Sequence, residues 1–123
     1  MILDMTPNLF LEYPKCTTCK KAAAWLKEQG YSVEDRHIVE QHPTAEELRT
    51  WWQASGLPLR RFFNTSGMKY RDMQLASRLP EMSENEQLEL LASDGMLVKR
   101  PLLVTPKGVM PGFKAETWAE LLS

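Results

Sequence analysis

The sequence predicts an α/β domain: a mixed sheet flanked by helices. Three observations predict it. The chain opens with a β-α-β pattern, which suits parallel strands joined by a helical crossover. A block of helical periodicity follows. The chain then closes on two short apolar runs around Pro106-Lys107-Gly108, the pattern of an antiparallel hairpin, and on an amphipathic helix.

Each element has its own local cause. Asn8-Leu9-Phe10-Leu11-Glu12-Tyr13 reads as a short, largely buried strand stopped by Pro14. In the helical pattern after it, Cys19, Ala22, Ala23, Trp25 and Leu26 lie mostly on one face, with Lys20, Lys21, Lys27 and Glu28 largely on the other. Gly30 suits the C′ position that ends such a helix. Tyr31 to Val39 reads as a second strand with weak alternation. Pro43-Thr44-Ala45-Glu46-Glu47 starts the next helix, with Thr44 as cap and Glu47 completing a capping box. Leu48, Trp51 and Trp52 form its apolar stripe, and Gly56 ends it. After the polar loop Asn64-Thr65-Ser66-Gly67, Tyr70 to Leu79 reads as one helix ending at Pro80. Ser83 and Glu86 form a second capping box, opening a helix through Leu88 and Leu91 to Gly95. Pro101 to Thr105 and Val109-Met110 are the hairpin strands, and Trp118, Leu121 and Leu122 give the terminal helix its apolar face. There is no internal repeat and no linker, so residues 1–123 are read as a single domain.

Composition narrows the function classes. The chain is 43% hydrophobic and 25% charged, with a formal net charge of −1, which argues against non-specific nucleic-acid or membrane binding. No apolar run approaches the roughly 18 residues of a membrane span. Met1 to Met5 contain Asp4 and no basic residue, unlike the start of a secretion signal. The expected compartment is therefore the cytoplasm, where a C-x-x-C pair is more often redox-active or metal-binding than a structural staple.

Cys16-Thr17-Thr18-Cys19 stands where a strand gives way to a helix. There the first thiol meets free backbone N–H groups and the positive end of the helix dipole, which stabilise a thiolate. Lys15, Lys20 and Lys21 add positive charge. The second thiol, one turn on, can close a disulfide or resolve a mixed one. Cys16 is thus read as nucleophile and Cys19 as resolving partner. Two alternatives stand beside this. Cys16 and Cys19 with His37 and His42 approximate a Cys2His2 zinc pattern, although the gap is long and the histidines flank a helix start. Alternatively, the two cysteines have no reactive role.

Arg100-Pro101 opens the third strand. A proline is tolerated at a strand end and permits a cis bond. A cis-proline loop beside a reactive cysteine fits a thioredoxin-like site. Arg100 there would hold an oxyanion or stabilise a thiolate, or else be a solvated charge. Lys15, Asn64, Thr65 and Ser66 are candidate anion-site residues. Arg60 and Arg61 read as a solvated pair or as the flank of a site.

Four blocks together resemble a known family: Tyr13-Pro14-Lys15-Cys16-Thr17-Thr18-Cys19-Lys20, the stretch from Phe62 through Asn64-Thr65-Ser66-Gly67 to Arg71, the stretch from Leu91 to Arg100-Pro101, and Gly112-Phe113-Lys114. The chain is similar to the glutaredoxin-type arsenate reductase and Spx regulator family from about Leu9 to Leu122. The resemblance implies a thioredoxin-like core, a mixed four-stranded sheet with a helical insertion between the second and third strands. It also implies a reactive Cys16 beside the Arg100-Pro101 pair. Arsenate reductases of this type place three arginines around the oxyanion and recruit glutathione and glutaredoxin. Those arginine positions correspond here to Asn64, Arg100 and Phe113, so one of the three is kept. Spx-like regulators use the C-x-x-C as a disulfide switch and dock on the C-terminal domain of the RNA polymerase α subunit. Their basic C-terminal tail has no counterpart in this sequence, and the closer likeness is to short arsenate-reductase-like members. The expected activity is thiol–disulfide oxidoreduction with no bound cofactor, with glutathione, glutaredoxin or thioredoxin as reductant. The alternative is a redox-sensing regulator that binds the polymerase α subunit.

Overall fold

The structure is a computed structural model that describes residues 7–123. Met1 to Met5, read above for a secretion signal, lie outside the described residues. The chain forms two compact units: Met1–His37 with Arg100–Ser123, and Ile38–Lys99.

The first unit carries a mixed four-stranded sheet in the order β2-β1-β3-β4. Its strands are β1 (Leu9–Glu12), β2 (Glu34–His37), β3 (Leu102–Thr105) and β4 (Gly108–Pro111). β1 runs parallel to β2, and its other edge is antiparallel to β3, which pairs antiparallel with β4. Helix α1 (Thr17–Gln29) is the crossover between β1 and β2, and the chain ends on α6 (Ala115–Leu122). The α/β class, the mixed sheet and the hairpin around Pro106-Lys107 are as the sequence predicts. Gly30 ends α1 in the left-handed conformation (φ 75°), returning its N–H to the carbonyls of Leu26 and Lys27.

Side-chain alternation sets the covered face of this sheet. Phe10 is in register with Leu103, and Leu103 with Met110. Phe10 and Leu103 join Ala22 and Leu26 of α1 and Trp118 of α6 in one apolar cluster. Trp118 is fully buried, with its indole N–H donating to the Gly112 carbonyl at 2.9 Å. β2 is shorter than the predicted Tyr31–Val39. Tyr31 and Val33 pack against that cluster ahead of the strand, and β1 offers only four residues for pairing.

The second unit is the helical insertion, with α2 (Ala45–Ser55), α3 (Met68–Asp72), α4 (Leu75–Arg78) and α5 (Glu84–Ser93). Both predicted capping boxes form: Thr44 with Glu47 opens α2, and Ser83 with Glu86 opens α5. The two helices pack on each other. The predicted helix over Tyr70 to Leu79 is broken. α3 and α4 are separated at Gln74, whose φ is 55°. Tyr70 and Leu75 are both buried. Residues five apart on a continuous helix point about 140° away from each other, and the break brings both to the core.

Gly95, just beyond α5, is held for its lack of a side chain. A Cβ there would lie 2.0 Å from the Ile38 carbonyl oxygen and 2.8 Å from the Val39 Cα, all backbone atoms. Gly95→Ala is expected to destabilise the protein by about 3 kcal/mol, read from urea denaturation. A loss below about 1 kcal/mol would show that this approach relaxes freely.

Candidate functional site

The end of β1 and the start of α1 position the cysteines. Pro14 and Lys15 form a tight turn in which the Cys16 N–H donates to the Tyr13 carbonyl at 2.9 Å. Cys16 is then the N-cap of α1, extended at φ −87° and ψ 118°. Its Sγ does what a serine oxygen does at this position: it accepts the Cys19 N–H, at 3.3 Å. The two thiols are free, Cys16 partly exposed and Cys19 buried at 2% exposure. Burial pushes the Cys19 thiol up to about 12, with the hydrogen bond to Cys16 acting in the same direction. Cys19 is therefore a protonated thiol at neutral pH.

Sequence reading passed over Glu12. It shares a face of β1 with Phe10, and Phe10 packs against Ala22 and Leu26 of α1. α1 runs back over β1, so two residues further along the strand Glu12 meets the first turn of the helix, and its charge acts on Cys19. On the neighbouring strand, Asp35 is in register with Phe10, and His37 with Glu12. Burial, and then a hydrogen bond and charge repulsion from Asp35, raise the Glu12 carboxyl to about 7. The available signal is one acid in an otherwise apolar strand, with a second acid, Asp35, two residues away on the same face of the next strand.

Arg100 and Pro101 belong to the same unit. The Arg100–Pro101 bond is cis, as the sequence suggested, and the Pro101 carbonyl accepts the Gly112 N–H at 2.8 Å. The Arg100 guanidinium lies over the Tyr13 ring, 5.2 Å from its centroid. His37 meets that ring edge-on at 5.8 Å. Phe113 is committed to the core, with its ring 5.5 Å from Trp25 and 5.1 Å from Trp118. Lys15 is exposed in the turn before Cys16.

Asn64, Thr65 and Ser66 belong to the other unit. Asn64 is 8% exposed, its N–H on the Leu97 carbonyl at 2.8 Å, and its side chain occupies the space a Cβ on Gly67 would need. Thr65 and Ser66 are exposed. Among the described residues no three His, Cys, Asp or Glu side chains gather as a metal site. His42 lies with its Nδ1 3.4 Å from the Pro43 carbonyl oxygen.

The family model described as the ArsC family matches residues 11–121. The chain belongs to the ArsC family. Three proteins are similar to it over most of its length. The uncharacterized protein YusI of Bacillus subtilis is 55% identical over 111 residues, covering 90% of this chain and 94% of that one. The regulatory protein MgsR of the same organism is 33% identical, covering 85% of this chain and 81% of that one. The crystal structure of an ArsC family related protein from Bacteroides fragilis has a TM-score of 0.91 at 52% identity, covering 94% of this chain and 98% of that one. The thioredoxin-like core with its insertion is thus the fold of an ArsC-family chain. No helix among the described residues is long and apolar enough to cross a membrane.

Proposed function

We propose that this chain acts in the cytoplasm, as one domain, as a thiol–disulfide oxidoreductase working through Cys16 and Cys19. The observation that carries this reading is the N-cap geometry: a partly exposed Cys16 sulphur with the Cys19 N–H aimed at it, beside a buried Cys19 thiol. Cys16 attacks a substrate disulfide and one substrate sulphur leaves as thiolate. Cys19 then gives its proton to the Glu12 carboxylate and attacks the Cys16 sulphur, releasing the second substrate thiol and leaving a Cys16–Cys19 disulfide. A small thiol such as glutathione, or a glutaredoxin or thioredoxin, returns the two electrons. Arg100 and Lys15 supply positive charge for an anionic substrate, with Pro101 shaping the strand entry. No bound metal or organic cofactor is invoked. Asn64, Thr65 and Ser66 are proposed to line an anion site.

The test is exchange with oxidised glutathione followed by mass spectrometry. The wild type should pass to an internal disulfide, and Cys19→Ser should accumulate the Cys16 glutathione adduct. An adduct at Cys19 in Cys16→Ser would overturn the assignment of roles. Arsenate-dependent NADPH consumption, coupled to glutathione and glutaredoxin, is expected to be low. Asn64 and Phe113 replace two of the family's oxyanion arginines, and Phe113 is packed between tryptophans. Robust turnover that disappears in Cys16→Ser would make arsenate the substrate despite those replacements.

A second reading has support in the likeness to the regulatory protein MgsR. In that reading the same disulfide is a switch that alters binding to the RNA polymerase α C-terminal domain, and no direct nucleic-acid contact is involved. Saturable binding to that domain that changes on oxidation, with no turnover, would favour it.

A further inference from the structure

A concave site lies within the Ile38–Lys99 unit, lined by none of the residues given a role in the cysteine exchange itself. It is a cleft of about 350 Å³ lined by Arg60, Arg61, Phe63, Thr65, Tyr70 and Lys99. The backbone builds it. The 3₁₀ turn Leu59–Phe62 buries Leu59 and Phe62, which leaves Arg60 and Arg61 exposed between them. Phe63 forms an antiparallel bridge with Val98, and the Lys99 N–H donates to the Phe62 carbonyl at 2.8 Å. These bonds fix Lys99 beside the two arginines. Phe63 and Tyr70 are buried, with ring centroids 6.4 Å apart, and form the apolar part of the lining.

The charge balance of this cleft is one-sided. Three cations line it and no carboxylate does. Among the described residues, Arg60, Arg61 and Lys99 have no acidic partner, whereas Lys69 nearby in sequence is paired with Asp94. The formal charge of the whole chain is −1, so the imbalance is local. Guanidinium and ammonium groups donate hydrogen bonds and accept none, and the Thr65 hydroxyl can donate as well. The complement to such a set is an acceptor-rich polyanion, and guanidinium forks match phosphate oxygens in pairs. The volume exceeds that of a bare oxyanion and falls at the lower end of small-molecule sites. The aromatic lining would face the remainder of the ligand. None of the three cations stands at the family's oxyanion positions, which are Asn64, Arg100 and Phe113 here.

We propose that this cleft binds a small phosphorylated molecule, a phosphate ester or diphosphate, through Arg60, Arg61 and Lys99. The test is calorimetric titration of the full chain at low salt with pyrophosphate and with inorganic phosphate as probes. The expected result is saturable one-to-one binding of pyrophosphate, weaker binding of phosphate, and loss of affinity as salt is raised. Arg61→Gln should weaken pyrophosphate binding about tenfold. Arg60→Gln combined with Lys99→Met should abolish it, and Lys27→Gln on α1 should leave it unchanged. Because the arginines are exposed and mutually repelling, neither set of substitutions should lower the melting temperature. Amide chemical-shift changes on titration should centre on residues 60–65 and 99. No saturable binding to millimolar probe, equal loss in Lys27→Gln, shifts centred elsewhere, or binding of an oligonucleotide without binding of pyrophosphate would each overturn the proposal.

Discussion

Cys16→Ser is expected to abolish thiol–disulfide exchange, lowering the rate by about three orders of magnitude or more. A hydroxyl at the N-cap preserves the hydrogen bond from the Cys19 N–H, so the start of α1 should remain folded. What is lost is the only partly exposed sulphur of the pair. The remaining thiol is buried and held near a pKa of about 12. Iodoacetamide at neutral pH should therefore label one cysteine in the wild type and neither in Cys16→Ser. Cys19→Ser should keep fast labelling and fast adduct formation, with release of the first substrate thiol, but fail to release the second. Labelling of Cys19 ahead of Cys16 across the pH range would sink the assignment, because the geometry assigns opposite environments to the two sulphurs.

Elements with local causes were legible in the sequence. Both capping boxes are satisfied within four residues, and Gly30 and Gly56 adopt the left-handed conformation that only short-range backbone sterics require. The N-cap placement of Cys16 follows from Pro14 ending β1 immediately before a helical pattern. The cis Arg100–Pro101 bond was suggested by a proline at a strand entry. The errors are non-local. A periodicity argument sees Tyr70 to Leu79 as one helix, since nothing within that window says that Tyr70 and Leu75 must reach one core. The same limit applies to Glu12. Its neighbours along the chain are apolar, and its raised carboxyl comes first from burial and then from Asp35, twenty-three residues on, brought alongside by the β1–β2 pairing. Phe113 is the converse case. The family resemblance implies a lost oxyanion contact there, while its surroundings pack it against the core aromatics.

Glu12→Gln separates proton transfer from mere burial. With its carboxyl raised from 4.5 to about 7, Glu12 favours the folded state below pH 4.5, and that contribution is lost as pH rises through about 7. The variant lacks this loss, so relative to the wild type it should gain about 1–3 kcal/mol of stability between pH 5 and pH 8, read from urea denaturation. The kinetic effect has the opposite sense. At pH 7.5 the wild-type carboxylate is available to accept the Cys19 proton, beside Asp35, His37 and the Cys16 sulphur, and glutamine cannot do so. Closure of the Cys16–Cys19 disulfide from the glutathione adduct should slow about a hundredfold. The gap should narrow as pH rises toward about 12, where Cys19 ionises without help. Alkylation of Cys16 should be unchanged, since the first attack does not use Glu12. A stability gain with unaltered closure would identify Glu12 as a half-buried acid tolerated by the fold. Slowed closure that recovers with alkali would identify it as the base for the resolving thiol, because a purely structural defect would not be repaired by hydroxide.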